Sequence, residues 1–474
     1  MEQLTKRILA IVIIAVIGTG IGVGAWFFLL APGAGEYVWS SSDCPGAPSG
    51  ISSNQIIKIG VAGDIGEITG DGAWEGTYFA AKRVNQLTAL GGKGGVYING
   101  SPYYFGVTRE DTDEANPNLV TSRGIAAAER LVYNKKVDYA IGGFRSEALL
   151  AYREVFMEEE IIFIDTGAAT DIFCGDVQSW YARYKYFWRT MPINSTSLGG
   201  QIFAFLLTHL GVLNATYGVI NNIGIIYEDL TWTDSLVYNI NLVLPLYGYT
   251  IAADIAYDVT LSSADMLSHV NTLISAGCDV VIPVISAQGG LMLMQHYATL
   301  QPDFLVVGID VQSQLDTYWT QSGGDCAYEV IMQSIHDTNK TPTTKEFWSA
   351  FHTEWGHDPL YTASGSYDAL NLLAWAINET QSLDPDDLIP QMETCTKANI
   401  LASPEDYPSS VGGLGAFWPD SHDLVAGYPY GYTLFCQWRN DGSKEIVTSY
   451  NSIYPTAALE NIGPLELPPW LTFA

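Results

Sequence analysis

Positive charge is what this sequence has least of. Its 474 residues hold 21 Lys and Arg against 51 Asp and Glu, a formal net charge of −30. That balance disfavours nucleic acid as a partner, because phosphate binding needs a basic surface. It also disfavours tight adsorption on anionic lipid. The shortage is most extreme from Thr190 to Asn339, where no Lys or Arg stands among thirteen Asp and Glu. Metal and redox signatures are missing too. Cys44, Cys174, Cys278, Cys326, Cys395 and Cys436 form no C-x-x-C pair, which argues against zinc or a thioredoxin-like centre. Six cysteines allow fifteen pairings, and the sequence does not choose among them. There is no H-E-x-x-H and no G-x-S-x-G. Gly70-Asp71-Gly72 with Gly76 has one residue too many for a dinucleotide fingerprint. His296, His336, His352, His357 and His422 are potential bases, but nothing fixes one beside a nucleophile. No catalytic, cofactor or metal constellation emerges, so an enzyme is not expected.

What is present is apolar material, 48% of the chain, and enough length for two lobes with extensions. Ile8 to Leu30 is an uncharged run following Lys6 and Arg7. As a helix it would span about 34 Å. It reads as an uncleaved membrane anchor, with a cleaved signal as the alternative, and leaves the bulk of the chain outside the cell. Gly, Pro, Ala and Ser dominate Ala31 to Asn54, the composition of a flexible tether. N-x-S/T at Asn99, Asn194, Asn214, Asn339 and Asn378 is compatible with a surface protein.

Strand and helix patterns then alternate, predicting parallel α/β architecture. The boundaries read as lobe one over 55–190, lobe two over 191–335, a return to lobe one with a closing hairpin over 336–455, and a tail over 456–474. Two segments stand out. Val137 to Ile141 is a buried-strand run ending in Gly142-Gly143-Phe144-Arg145-Ser146, and Ile161 to Asp165 is another ending in Thr166-Gly167-Ala168-Ala169-Thr170. Such turns lie outside the carboxyl ends of the strands, where open α/β sheets bind ligands. Small residues there open the backbone N–H groups to an anion, and Ser146 and Thr170 add hydroxyls. Each is also a plausible helix cap, and Arg145 could simply pair with Glu147.

These two turns resemble the ligand-binding loops of the branched-chain amino-acid (leucine/isoleucine/valine) binding proteins of ABC transporters. Ile59 to Gly76, Ser366 to Ala374 and Gly413 to Gly442 are similar to further parts of that family. The resemblance implies a type I periplasmic-binding fold, two Rossmann-like lobes joined by a multi-crossing hinge, here preceded by an N-terminal transmembrane helix. It implies extracellular capture of an amino acid or related solute, with an ABC permease and its ATPase as partners. Carried over by position, Ser146, Ala168, Ala169 and Thr170 would hold a carboxylate and Asp310 an ammonium. Thr69, Tyr227, Trp232 and Ser286 would complete the site. Arg145 departs from the family, which has a small residue there. A receptor ectodomain or a surface-layer component of the same fold is the alternative.

Overall fold

The computed structural model describes residues 37–86, 94–217, 220–287, 289–396, 415–447, 454–455, 457 and 459–471. The expected membrane anchor and the first residues of the tether lie outside these. From Trp39 onward the chain builds two α/β lobes, each around an eight-stranded sheet. Numbered along the chain, the strands of the first half are Ile56–Gly63 (β1), Val96–Ile98 (β2), Ser101–Asp111 (β3), Tyr139–Gly142 (β4), Phe163–Asp165 (β5) and Phe187–Arg189 (β6). The second lobe opens with Asn222–Glu228 (β7), Thr250–Tyr257 (β8), Val280–Ile285 (β9), Leu305–Asp310 (β10) and Val330–Gln333 (β11). Phe417–Trp418 (β12), Asp423–Leu424 (β13), Leu434–Trp438 (β14), Lys444–Val447 (β15) and Ile462–Gly463 (β16) complete the two sheets.

The lobe-one order is β2-β3-β1-β4-β5-β6-β13-β12, and the lobe-two order is β8-β7-β9-β10-β11-β14-β15-β16. The central strands of both sheets run parallel. They are buried on both faces, which is why they read as unbroken apolar runs. The chain crosses between the lobes three times, after β6, after β11 and between β13 and β14.

Helix Ile68–Gln86 lies against helix Tyr361–Thr380 at very short range. A Cβ on Gly76 would stand 2.0 Å from the Ala363 carbonyl oxygen, so only glycine allows that approach. Helix Ser195–Tyr217, absent from the sequence reading, is the one described helix long and apolar enough to cross a membrane. It is instead a packed element of lobe two, with Ile202, Phe205 and Leu206 in the core. All six cysteines are buried and free.

Two boundaries need correction. The supposed tether is docked from Trp39: its indole is buried and donates to the Lys135 carbonyl at 2.6 Å. Asn85 Nδ2 likewise holds the Pro45 carbonyl at 2.9 Å. Gly, Pro and Ser composition marks irregular backbone, and a single buried Trp is enough to anchor it. The second correction concerns the closing segments. β14 and β15 join the lobe-two sheet rather than lobe one, because β14 pairs antiparallel with β11. The supposed tail joins them through β16 and through Trp470, whose ring meets Tyr297 at 5.6 Å.

Trp39→Ala is expected to destabilise the protein by about 3–5 kcal/mol, the range for deleting a buried tryptophan. Chemical denaturation measures this. A change near zero would restore the flexible-tether reading.

Candidate functional site

The two turns that close β4 and β5 are built on glycines with little freedom to change. Gly142 and Gly143 have φ of +136° and +90°, and a Cβ on Gly142 would meet the Ala62 carbonyl oxygen at 2.0 Å. A Cβ on Gly167 would meet the Gly143 carbonyl oxygen at 2.1 Å, so the two turns are stacked on each other. They overlook a cleft lined from both lobes. Lobe one lines it with Phe144, Arg145, Ala169 and Tyr361; lobe two supplies Trp232, Val259, Ile309 and Met332. The lobes also touch directly, where the Thr231 backbone N–H donates to Glu147 Oε1 at 2.7 Å. A second hollow adjoins the cleft through Ala115, Pro117 and Phe144, and carries Asp64, Glu67, Thr69 and Asp113.

Of the residues expected from sequence, Arg145, Ala169, Trp232 and Ser286 line the cleft, and Thr69 lines the adjoining hollow. Ser146, Ala168, Thr170, Tyr227 and Asp310 line neither. Ser146 and Thr170 are buried, and the Thr170 N–H donates to Ser146 Oγ at 3.3 Å. The Ala168 N–H donates to Asp165 Oδ1 at 2.9 Å. Strand parity accounts for Asp310, since successive residues face opposite sides of a sheet. Tyr227 shares the face of Val284 and Ile309 through the β7–β9–β10 register, but its hydroxyl is drawn to Asp254 on the edge strand β8. Ile309 and Val311 face the cleft, leaving Asp310 behind it. There Asp310 accepts from Gln312 N–H at 3.1 Å, Ser313 N–H at 3.4 Å and the Tyr318 hydroxyl at 2.8 Å.

The residue that sequence reasoning missed is Glu114. It sits in Asp111-Thr112-Asp113-Glu114 at the carboxyl end of β3, and the position after a parallel strand was the available signal. Its carboxylate is fully buried under the first turn and accepts from the Phe144 and Arg145 N–H groups at 3.2 and 3.0 Å. The Thr112 hydroxyl donates to it at 2.8 Å. Burial raises its pKa to about 7, although these donors pull the other way. Asp165 is likewise raised to about 7 by burial, against the opposing pull of Arg189. Across the cleft, Glu228 is raised by burial while Ser286 N–H and Oγ, Ala287 N–H and Trp232 Nε1 donate to it.

Arg145 is held without being saturated. Nη1 donates to the Asn116 carbonyl at 2.9 Å, and Nε lies 3.4 Å from Glu147. Nη2 has no acceptor among the described residues, and the guanidinium borders the cleft. The arrangement therefore offers a largely apolar, partly aromatic chamber with the Arg145 cation at its edge and, unpartnered among the described residues, Gln314 Oε1 and Ser334 Oγ in its wall.

A carboxyl raised in the folded state gives stability that is full below the unfolded pKa and lost as pH rises through the folded value. For Glu114 that window runs from about 4.5 to about 7. Glu114→Gln should therefore gain stability relative to the parent as pH rises from about 5 to about 8. Melting temperatures of both proteins across that range test this, and a constant difference would refute the buried-acid assignment.

A family model for periplasmic binding proteins matches residues 57–428. Among solved structures, a protein assigned to branched-chain amino acid ABC transport from Silicibacter pomeroyi is 16% identical, with a TM-score of 0.66 over 88% of this chain and 100% of that one. A substrate-binding protein from Desulfitobacterium hafniense in complex with Leu is 16% identical, with a TM-score of 0.60 over 83% and 99%. A solute-binding protein from R. palustris in complex with benzoate is 15% identical, with a TM-score of 0.63 over 86% and 99%. Identities this low speak to the fold. The family match, covering most of the chain from β1 through β13, carries the assignment: this chain belongs to the periplasmic binding protein family.

Proposed function

We propose that this protein is the extracellular solute-binding component of an ABC importer, closing its lobes on an amino acid or a related small solute. It performs no chemistry on that solute and delivers it to a membrane permease powered by an ATPase. The observation that carries this reading is the cleft itself, lined from both lobes by apolar and aromatic side chains and flanked by a hinge of three crossings. Hinge closure around a ligand is the mechanism such an arrangement supports. The N-terminal run Ile8 to Leu30 would tether the lobes outside the membrane.

Within this reading Arg145, Ala169, Trp232 and Ser286 contact the solute, and Thr69 borders its entry. Ser146, Ala168 and Thr170 shape the turns from behind. Trp232 offers a large ring fixed by its hydrogen bond to Glu228, so a solute packs on a surface already ordered.

A thermal-shift screen of amino acids, small organic acids, amides and polyamines is expected to give hits that raise the melting temperature. Small-angle scattering should show compaction with those hits, and a screen without either effect would overturn solute capture. Trp232→Ala should weaken a hit by at least about tenfold. Asp310→Asn should lower the melting temperature by leaving buried donors poorly matched, while changing affinity less than about twofold. Loss of binding in Asp310→Asn would return Asp310 to the site.

A further inference from the structure

Negative charge left unanswered by the protein collects beside the chamber, in the adjoining hollow. Asp64, Glu67 and Asp113 line it from lobe one, and among the described residues no Lys, Arg or His stands in its lining. The Arg123 guanidinium pairs with Asp113, and Arg109 is taken by Asp71. Asp64 and Glu67 keep no cation beside them among the described residues. Asp64 directly follows β1 and is only 7% exposed. Its Oδ2 accepts from the Ala115 N–H at 2.7 Å, while Oδ1 accepts nothing among the described residues. Burial raises its pKa to about 6; the Ala115 N–H opposes this, and Asp111, Glu67 and Asp113 push it further. Thr69, 3% exposed in the first turn of helix Ile68–Gln86, likewise has a hydroxyl without a partner among the described residues. Two polar side chains so deeply buried and left open in one lining mark a place that an incoming group completes.

The hollow continues the chamber. Ala115, Pro117, Phe144, Ser286 and Ala287 line both, and Gln312 adds a further lobe-two wall to the hollow. An occupant reaching from one into the other therefore touches both lobes. The chamber itself offers Arg145 and the neutral acceptors Gln314 Oε1 and Ser334 Oγ. Such acceptors take an ammonium, an amide or a hydroxyl alike. An unpaired carboxylate, by contrast, favours a cation over its neutral isostere, and more strongly between low-dielectric walls.

A divalent metal ion does not suit the hollow, because it needs several oxygens converging on one point. Among the described residues the side chains that converge in this way, within 4.8 Å of one another, are Asp316, His352 and Asp358, which do not line it. Carboxylates set further apart, with a hydroxyl in the same lining, suit a group that presents several N–H donors in different directions.

Resting on the solute-capture reading above, we infer that the solute carries an ammonium or guanidinium group on an arm that leaves the apolar chamber past Phe144 and Pro117, and that Asp64 and Thr69 hold this group in the hollow. The exposed Glu67 adds negative charge beside it. The aliphatic part of the arm packs in the chamber, and a carboxylate on the same solute meets Arg145. This places the solute among basic amino acids and their guanidine and diamine relatives.

Matched pairs that differ by the terminal charge test this: lysine against norleucine, and arginine against citrulline. Calorimetric titration of the full chain at neutral pH should show each cation binding at least about tenfold tighter than its neutral partner. Asp64→Asn keeps the side chain's size and an acceptor for the Ala115 N–H, and should bring each pair to within about threefold. Should that variant fail to fold, Thr69→Val and Glu67→Gln are each expected to narrow the preference by at least about threefold. A neutral member that binds as tightly as its cation would overturn the inference, as would a preference that survives all three substitutions. Calcium chloride alone, raising the melting temperature of the parent and not of Asp64→Asn, would give the hollow to an inorganic ion and overturn it too. A neutral or acidic solute that binds in preference and compacts the protein would do the same, yet leave solute capture standing. If no probe binds or compacts the protein, both readings fall together.

Discussion

Carboxylates buried at the ends of parallel strands, each accepting from the backbone N–H groups of a neighbouring turn, are the interaction on which this structure depends. Glu114 does this just past β3, Asp165 as the last residue of β5, Glu228 as that of β7 and Asp310 as that of β10. The turn amides point away from any regular ladder, and an unpaired buried N–H is costly. Placing a carboxylate beneath each turn satisfies them without water and fixes the backbone. The accompanying cost is desolvation, which raises the pKa of all four acids. Rigid turns are what a binding cleft needs, since a preorganised wall loses less freedom when a solute arrives.

Arg189 connects this turn network to the hinge. It is fully buried on the last strand before the first crossing, and it forks onto both oxygens of Asp423 at 2.8 Å. Its Nη1 holds the carbonyls of Ala168 and Thr170 at 3.1 Å each. Asp423 in turn receives Asn194 Nδ2 at 3.0 Å, on the segment that enters lobe two. One side chain thus ties the second turn, the first crossing and β13 into a single unit. A bidentate pair of this kind adds direction as well as attraction, so a shift at the crossing is transmitted to the turn. The third crossing has its own fastening, in which the buried Lys340 ammonium donates to the Ser334 and Tyr432 carbonyls.

Sequence reading reached the architecture because buried parallel strands and their helices have strong periodic signatures. It placed β1, β4, β7 and β9 within a few residues of where they stand. It located the two lobe-one turns for the same reason. It missed helix Ser195–Tyr217, which is apolar on nearly every face and so has little amphipathic contrast. At the site, the approach found where the chain faces the cleft more reliably than which atoms do. Asp310 lies one residue out of phase with the cleft-facing Ile309, and a period of two makes that shift decisive. Glu114 escaped because its partners, Phe144 and Arg145, are thirty residues away and belong to another strand end.

The charge pattern shows most clearly how topology rewrites a linear reading. From Thr190 to Asn339 the chain has no Lys or Arg, which makes lobe two look like a purely acidic half of a clamp. The fold returns cations to that lobe through the closing strands. Arg439 donates to Gln437 Oε1 at 2.7 Å and pairs with Glu445, both within lobe two. Lys444 reaches the Gln314 carbonyl at 2.5 Å with its ammonium 4.7 Å from the Trp438 ring centroid. These cations are spent on the framework of lobe two and do not line the cleft. Its buried acids Glu228 and Asp310 are spent in the same way, on amides and hydroxyls. Among the described residues no charged side chain of lobe two lines the cleft, and its charged lining falls to Arg145 and Glu114 of lobe one. A strongly acidic protein can in this way present an almost uncharged chamber with a single positive contact.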